Sequence, residues 1–163
     1  MKSRITIALL LLSLALNATL GIALWHGPQG NAHADVTAEG EELAPYMAMM
    51  QHHAHKLGLS IQARNPALAG FYLEELEETT ELVEQKFPTY DGVAIGELAE
   101  AMLAPSIEPV EKAITAGNWP AATAAYDRLV GACNDCHAAA NHDFIEITVP
   151  SANPFNQAFS LKK

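Results

Sequence analysis

Residues Cys133-Asn134-Asp135-Cys136-His137 spell Cys-x-x-Cys-His, the spacing through which c-type haem is attached to a chain. Two thiols can add across the two vinyl groups of a haem, and the histidine that follows offers its imidazole to the iron. On a helix Cys133 and Cys136 stand three apart and Cys133 and His137 four apart, so all three leave one face. A thioredoxin-like dithiol would follow a strand in a βαβ pattern, whereas the residues around this motif have helical periodicity. Structural zinc would need a second pair of ligands at metal spacing, and the chain has 2 cysteines. The expectation is one covalent haem c held by Cys133 and Cys136, with His137 as an iron ligand.

Candidates for a second iron ligand crowd together in the first helix, at Met47, Met49, Met50, His52, His53 and His55. Position 53 falls three after Met50 and four before Leu57, which sets it on the apolar seam. His53 is therefore the expected second metal ligand, with His52, a methionine and an empty position as alternatives. A histidine on an apolar face is otherwise a hydrogen-bonded core residue. Met47 and Met50 suit core packing, since methionine fills irregular gaps. His55 shares a polar face with Gln51, Gly58 and Gln62, and His142 follows His137 too closely to reach the opposite side of the iron.

The N-terminus fits an exported protein. Lys2 and Arg4 precede an apolar run from Ile5 to Trp25, and Ala32-His33-Ala34 is a small-x-small cleavage site. Residues 1–34 are expected to be a signal peptide, with an uncleaved membrane anchor as the alternative because the run is long. Asn17, Thr19 and Gly21 interrupt it, which favours cleavage and a periplasmic product. Loss of Lys2 and Arg4 takes the net charge from −10 to −12. That charge disfavours nucleic acid or anionic lipid as partner and suits a basic redox protein.

The remaining chain, enough for one domain, has the periodicity of four helices. The first spans about 39–64, with Leu43, Met47, Met50, Ala54, Leu57 and Ile61 inward. Asn65-Pro66 caps and opens the second, which runs to about Lys86 with Leu68, Tyr72, Leu76, Thr79 and Val83 inward. Its outer face carries Glu74, Glu75, Glu77, Glu78, Glu81 and Glu84. A third stretch over 93–116 contains Pro105 and Pro109 and should break near Ala104. Gly117-Asn118 then opens the fourth, from Trp119 to about Ala140. The strings Ala63-Arg64-Asn65-Pro66 and Ala116-Gly117-Asn118-Trp119-Pro120 echo one another, which shared capping chemistry explains. Four helices with short links favour an all-α antiparallel four-helix bundle over 35–143, with haem on the last helix. Residues 144–163, with their prolines and short alternating run, form an extended C-terminal tail.

With the haem motif on the last of four helices, the chain resembles the class II cytochromes c, the group that includes cytochrome c prime. The resemblance covers about 39–142 and implies a monohaem four-helix bundle, as a monomer or homodimer. The tail from Phe144 to Phe159 departs from that pattern. It is similar to a group of small exported cytochromes that end in a Phe-Ile-x-Ile run and a Pro-Phe-x-Gln-like segment. Two functions compete. Histidine on both sides of the iron makes an electron carrier, without enzyme activity. An open or displaceable distal position makes a binding site for nitric oxide or carbon monoxide. Peroxidase chemistry would need a distal acid–base group and an oriented cation, for which His52 and Arg64 are the only material nearby.

Overall fold

The computed structural model describes residues 40–161. The expected export segment at 1–34 lies outside the described residues. From Glu42 onward the chain forms one compact unit. Its elements are α1 (Ala44–Gln62), α2 (Pro66–Lys86), a short α3 (Ile95–Leu98), a π-helical turn (Ala99–Leu103), α4 (Ala104–Thr115) and α5 (Trp119–Ala139). The described residues hold four long helices and no strand, an all-α architecture compatible with a helical bundle. No helix among them is long and apolar enough to cross a membrane.

The helices pack as the apolar periodicity requires. α1 lies against α2, α4 against α5 and α2, and α5 also touches α1. Each long helix sends side chains into one core: Leu57 from α1, Leu76 and Val83 from α2, Val110 from α4 and Leu129 from α5 are all fully buried. Burying a side chain of this size contributes about 1.5–3 kcal/mol.

Three helices end in the same way. After α1, α4 and α5 one residue takes a left-handed backbone: Arg64 (φ 53°), Gly117 (φ 64°) and Asn141 (φ 61°). The next amide then reaches back to a carbonyl five residues earlier: Asn65 to Ser60 (3.0 Å), Asn118 to Ala113 (2.9 Å) and His142 to His137 (2.7 Å). This is a Schellman closure, which satisfies carbonyls that the helix end leaves unpaired. In the first two cases the following asparagine at once caps the next helix. Asn65 Oδ1 accepts from Leu68 N and Asn118 Oδ1 from Ala121 N, both at 3.2 Å. The internal echo of the sequence is thus one connector used twice.

The proline-rich third stretch breaks where expected, through a π-helical turn. Pro105 and Pro109 carry no N–H, so neither can donate to the carbonyl four residues before it. Just upstream, the amide of Ala104 bonds to Ala99 O, five residues back. The turn buries Ala99 and Leu103.

After Asn141 the chain runs without regular structure, as its composition suggests, yet it is held closely. Polar side chains on the helices and at the cap of α2 take up its backbone groups, as unpaired peptide groups must be. Asn134 bonds Ile147 twice, accepting its N–H at Oδ1 (2.7 Å) and donating Nδ2 to its carbonyl (2.9 Å). Gln62 Nε2 donates to Pro150 O at 2.8 Å, and Asn65 Nδ2 to Phe159 O at 2.9 Å. Tyr72 Oη donates to Gln157 Oε1 at 2.7 Å. Phe155 sits against the His52 and His55 rings and under the Lys56 ammonium, each about 5.1 Å away.

Gly58 marks the point where α1, α5 and this strap converge. A Cβ there would lie 2.6 Å from Tyr126 Oη and 2.8 Å from Pro150 Cγ. Tyr126 is buried and its hydroxyl donates to Ala54 O at 2.9 Å, so it has little room to yield. Gly58→Ala should lower stability by about 1–3 kcal/mol, the usual cost of overpacking. The denaturant midpoint of the variant measures it.

Candidate haem site

Cys133, Cys136 and His137 line a single cavity of about 500 Å³, within the range of about 300–1,000 Å³ usual for small-molecule sites. Its walls come from across the chain. Met47, Met50 and Gln51 enter from α1, Leu76 and Val83 from α2, Ala99 and Leu103 from the π-helical turn, and Ile145 and Ile147 from the strap. Most of these side chains are apolar, as a flat hydrophobic cofactor requires. Among the described residues no group of three His, Cys, Asp or Glu side chains converges to hold a bare metal ion.

The imidazole of His137 is oriented from behind. Its Nδ1 lies 2.9 Å from the carbonyl oxygen of Ile145. A carbonyl only accepts, so the proton sits on Nδ1 and Nε2 keeps its lone pair. That is the tautomer an iron ligand needs, and such a partner behind a ligating histidine also strengthens it as a donor. The reversal at Asn141 makes the contact, returning the chain after α5 so that Ile145 comes back to the ring of His137.

The two thiols lack the setting that activates a redox dithiol. Such pairs sit at helix N-termini, where the macrodipole stabilises the thiolate. Cys133 and Cys136 sit in the last two turns of α5, at the opposite pole. Burial, then the neighbouring Cys136, pushes the Cys133 thiol up to about 11. Burial also raises that of Cys136. Both are protonated at neutral pH, and both line the cavity.

His53 is placed elsewhere. Its ring turns toward α2, with Nδ1 3.0 Å from the carbonyl of Glu75 and 3.4 Å from Thr79 Oγ1. Nε2 lies 3.9 Å from the Glu75 carboxylate. It does not line the cavity with Cys133, Cys136 and His137, so the structure does not bring the expected pair of histidines together. His52 is exposed and edges Phe155. The α1 and α2 walls offer thioethers instead, from half-buried Met47 and buried Met50, and no histidine. His142 lines the same cavity, with Nδ1 2.8 Å from Ala140 O. Two contributors went unread in the sequence. Asn134 occupies a variable position of the motif, and Ile145 acts through a backbone atom, which side-chain patterns do not encode.

Compared with known proteins, the chain matches no family model, no curated protein and no solved structure.

With its thiols free, the chain should react slowly with iodoacetamide at pH 8, because the raised pKa leaves little thiolate. The Cys133 rate should climb about tenfold per pH unit until pH approaches its pKa. Peptide mapping of the alkylated positions checks this, and fast modification of Cys133 at pH 7 would contradict the buried placement.

Proposed function

We propose that this chain is an exported, periplasmic monohaem c-type cytochrome that carries electrons, built as an antiparallel four-helix bundle with haem c on α5. One observation carries the reading. The Cys-x-x-Cys-His side chains share an apolar cavity in which His137 is held by Ile145 O with Nε2 free. A haem bound there would supply a one-electron iron couple. The chain's residues do the rest. Cys133 and Cys136 would hold the haem through their thiols, His137 would ligate its iron through Nε2, and the aliphatic walls would limit the water beside it.

The acidic face of α2 is the proposed docking ridge for a basic redox partner. Glu74, Glu77, Glu78 and Glu81 are exposed, while Leu76 and Val83 of the same helix wall the cavity. A helix is about 10–12 Å across with its side chains, so a partner on the ridge stands one helix from the cofactor site. Two glutamates at the edge differ. Glu75 turns to His53. Glu84 is half-buried, and burial with Glu100 and Glu81 nearby raises its pKa.

A second reading, binding of nitric oxide or carbon monoxide, is favoured by the turn of the α1 residue His53 toward α2 and away from the cavity, so that no histidine of α1 would ligate the iron.

Acid and organic solvent should leave the haem on the polypeptide, and Cys136→Ala should leave one link and poor maturation. Free haem extracted from the wild type would end the proposal. Electron exchange with a basic partner should slow as salt rises, because the ridge's field is screened over about 8 Å at physiological ionic strength. Replacing Glu74, Glu77 and Glu81 with Gln should flatten that dependence and leave the spectrum alone. Absorption spectra of the reduced protein with and without carbon monoxide separate the two readings. Rapid, tight binding together with salt-independent exchange favours the gas site.

A further inference from the structure

We infer that Asn134 is a positioning residue for the iron ligand His137, acting through the C-terminal strap; this rests on the haem reading above. Asn134 lies between the two cysteines and need not touch the cofactor. Its side-chain amide pairs with both backbone groups of Ile147, at 2.7 and 2.9 Å. Two residues before that clamp, Ile145 O accepts the Nδ1 proton of His137 at 2.9 Å. Two residues before Ile145 again, the chain is still leaving the turn closed by His142 N to His137 O at 2.7 Å.

Residues 142–147 therefore form a short loop fastened at both ends to α5. The Schellman closure holds the near end and Asn134 the far end. The Ile145 side chain is 43 % exposed, so core packing alone does not fix its carbonyl. A second bond, from Ile145 N to His142 O at 2.9 Å, stiffens the loop without tying it to the helix. Clamping from Asn134 is what keeps the acceptor at the ring.

The consequence is chemical. A hydrogen bond at Nδ1 makes imidazole a stronger donor at Nε2 and so stabilises the higher charge of ferric iron. Losing it lets the ring swing and weakens donation, which raises the reduction potential. The device also explains why the tail is bound to the helix that carries the motif.

The test uses full-length Asn134→Ala and Asn134→Leu, which both remove the clamp, the second at about the same side-chain size. In haem-loaded protein each variant should keep covalent haem, raise the midpoint potential, and speed solvent exchange of the His137 Nδ1 proton by roughly tenfold. A potential and an exchange rate equal to wild type in both haem-loaded variants would overturn the inference. Should the wild type prove to carry no covalent haem, the cytochrome reading fails alone. Nitrogen NMR of His137 in the metal-free chain then decides. The Nδ1–H tautomer should dominate in the wild type and lose that dominance in the variants, and an unchanged tautomer ratio overturns the inference there too.

Discussion

The bond from His137 Nδ1 to the carbonyl of Ile145 is the constraint on which the site's chemistry depends. An imidazole has two nitrogens, and only the one left unprotonated can bind a metal. Fixing the proton on the far side needs an acceptor that stays put, and the helix cannot supply one, because its own carbonyls run parallel to the axis. The chain supplies it by turning back. Asn141 adopts a left-handed conformation, His142 closes the helix, and the strap returns across the end of α5. Asparagine tolerates that backbone better than most residues with a Cβ. The same closure joins α1 to α2 and α4 to α5. At the first two ends it starts a helix, and at the third it starts the strap. What differs is the residue that follows: asparagine caps a helix in the first two cases, and His142 does not.

Much of this was legible in the sequence because helices advertise themselves through period. The apolar positions of α1 and α2 are buried, or half-buried at Leu43, Met47 and Leu68, as their spacing implied, both asparagine caps are in place, and the third helical stretch breaks near Ala104. The form of that break was not legible. Two prolines say that hydrogen bonds will be lost, and packing decides that a π-helical turn absorbs them. The docking of the strap was equally hidden, because it depends on single polar side chains: Gln62, Asn65 and Asn134 each reach a backbone group of the strap, and Tyr72 reaches the Gln157 side chain.

The placement of His53 shows where spacing misleads. A step of three residues along a helix turns the side chain by about 60° short of a full circle. Moving from Met47 to Met50 to His53 therefore accumulates about 120°. Met47 and Met50 stay on the cavity wall, while His53 has rotated onto the α2 side, where the Glu75 carbonyl and Thr79 receive it. A seam wide enough to contact two neighbours is not one direction. Reading the first helix as a single stripe merged the wall that faces the cavity with the wall that faces α2. His52 lies off the cavity on the other flank, against Phe155 of the strap.

Helix α2 shows how one element can isolate a site and still expose it. Leu76 and Val83 are seven residues apart, two turns, and close the cavity from within. Glu74, Glu77, Glu78 and Glu81 stand on the opposite side in water. On the proposed reading this arrangement separates two requirements that conflict at most sites. The iron needs a dry, low-dielectric pocket so that its ligands fix the potential, and a partner needs a charged surface that steers it from a distance. On that reading an electron can cross α2 from its acidic face, which a molecule cannot, so exchange there needs no path for a ligand through the helix.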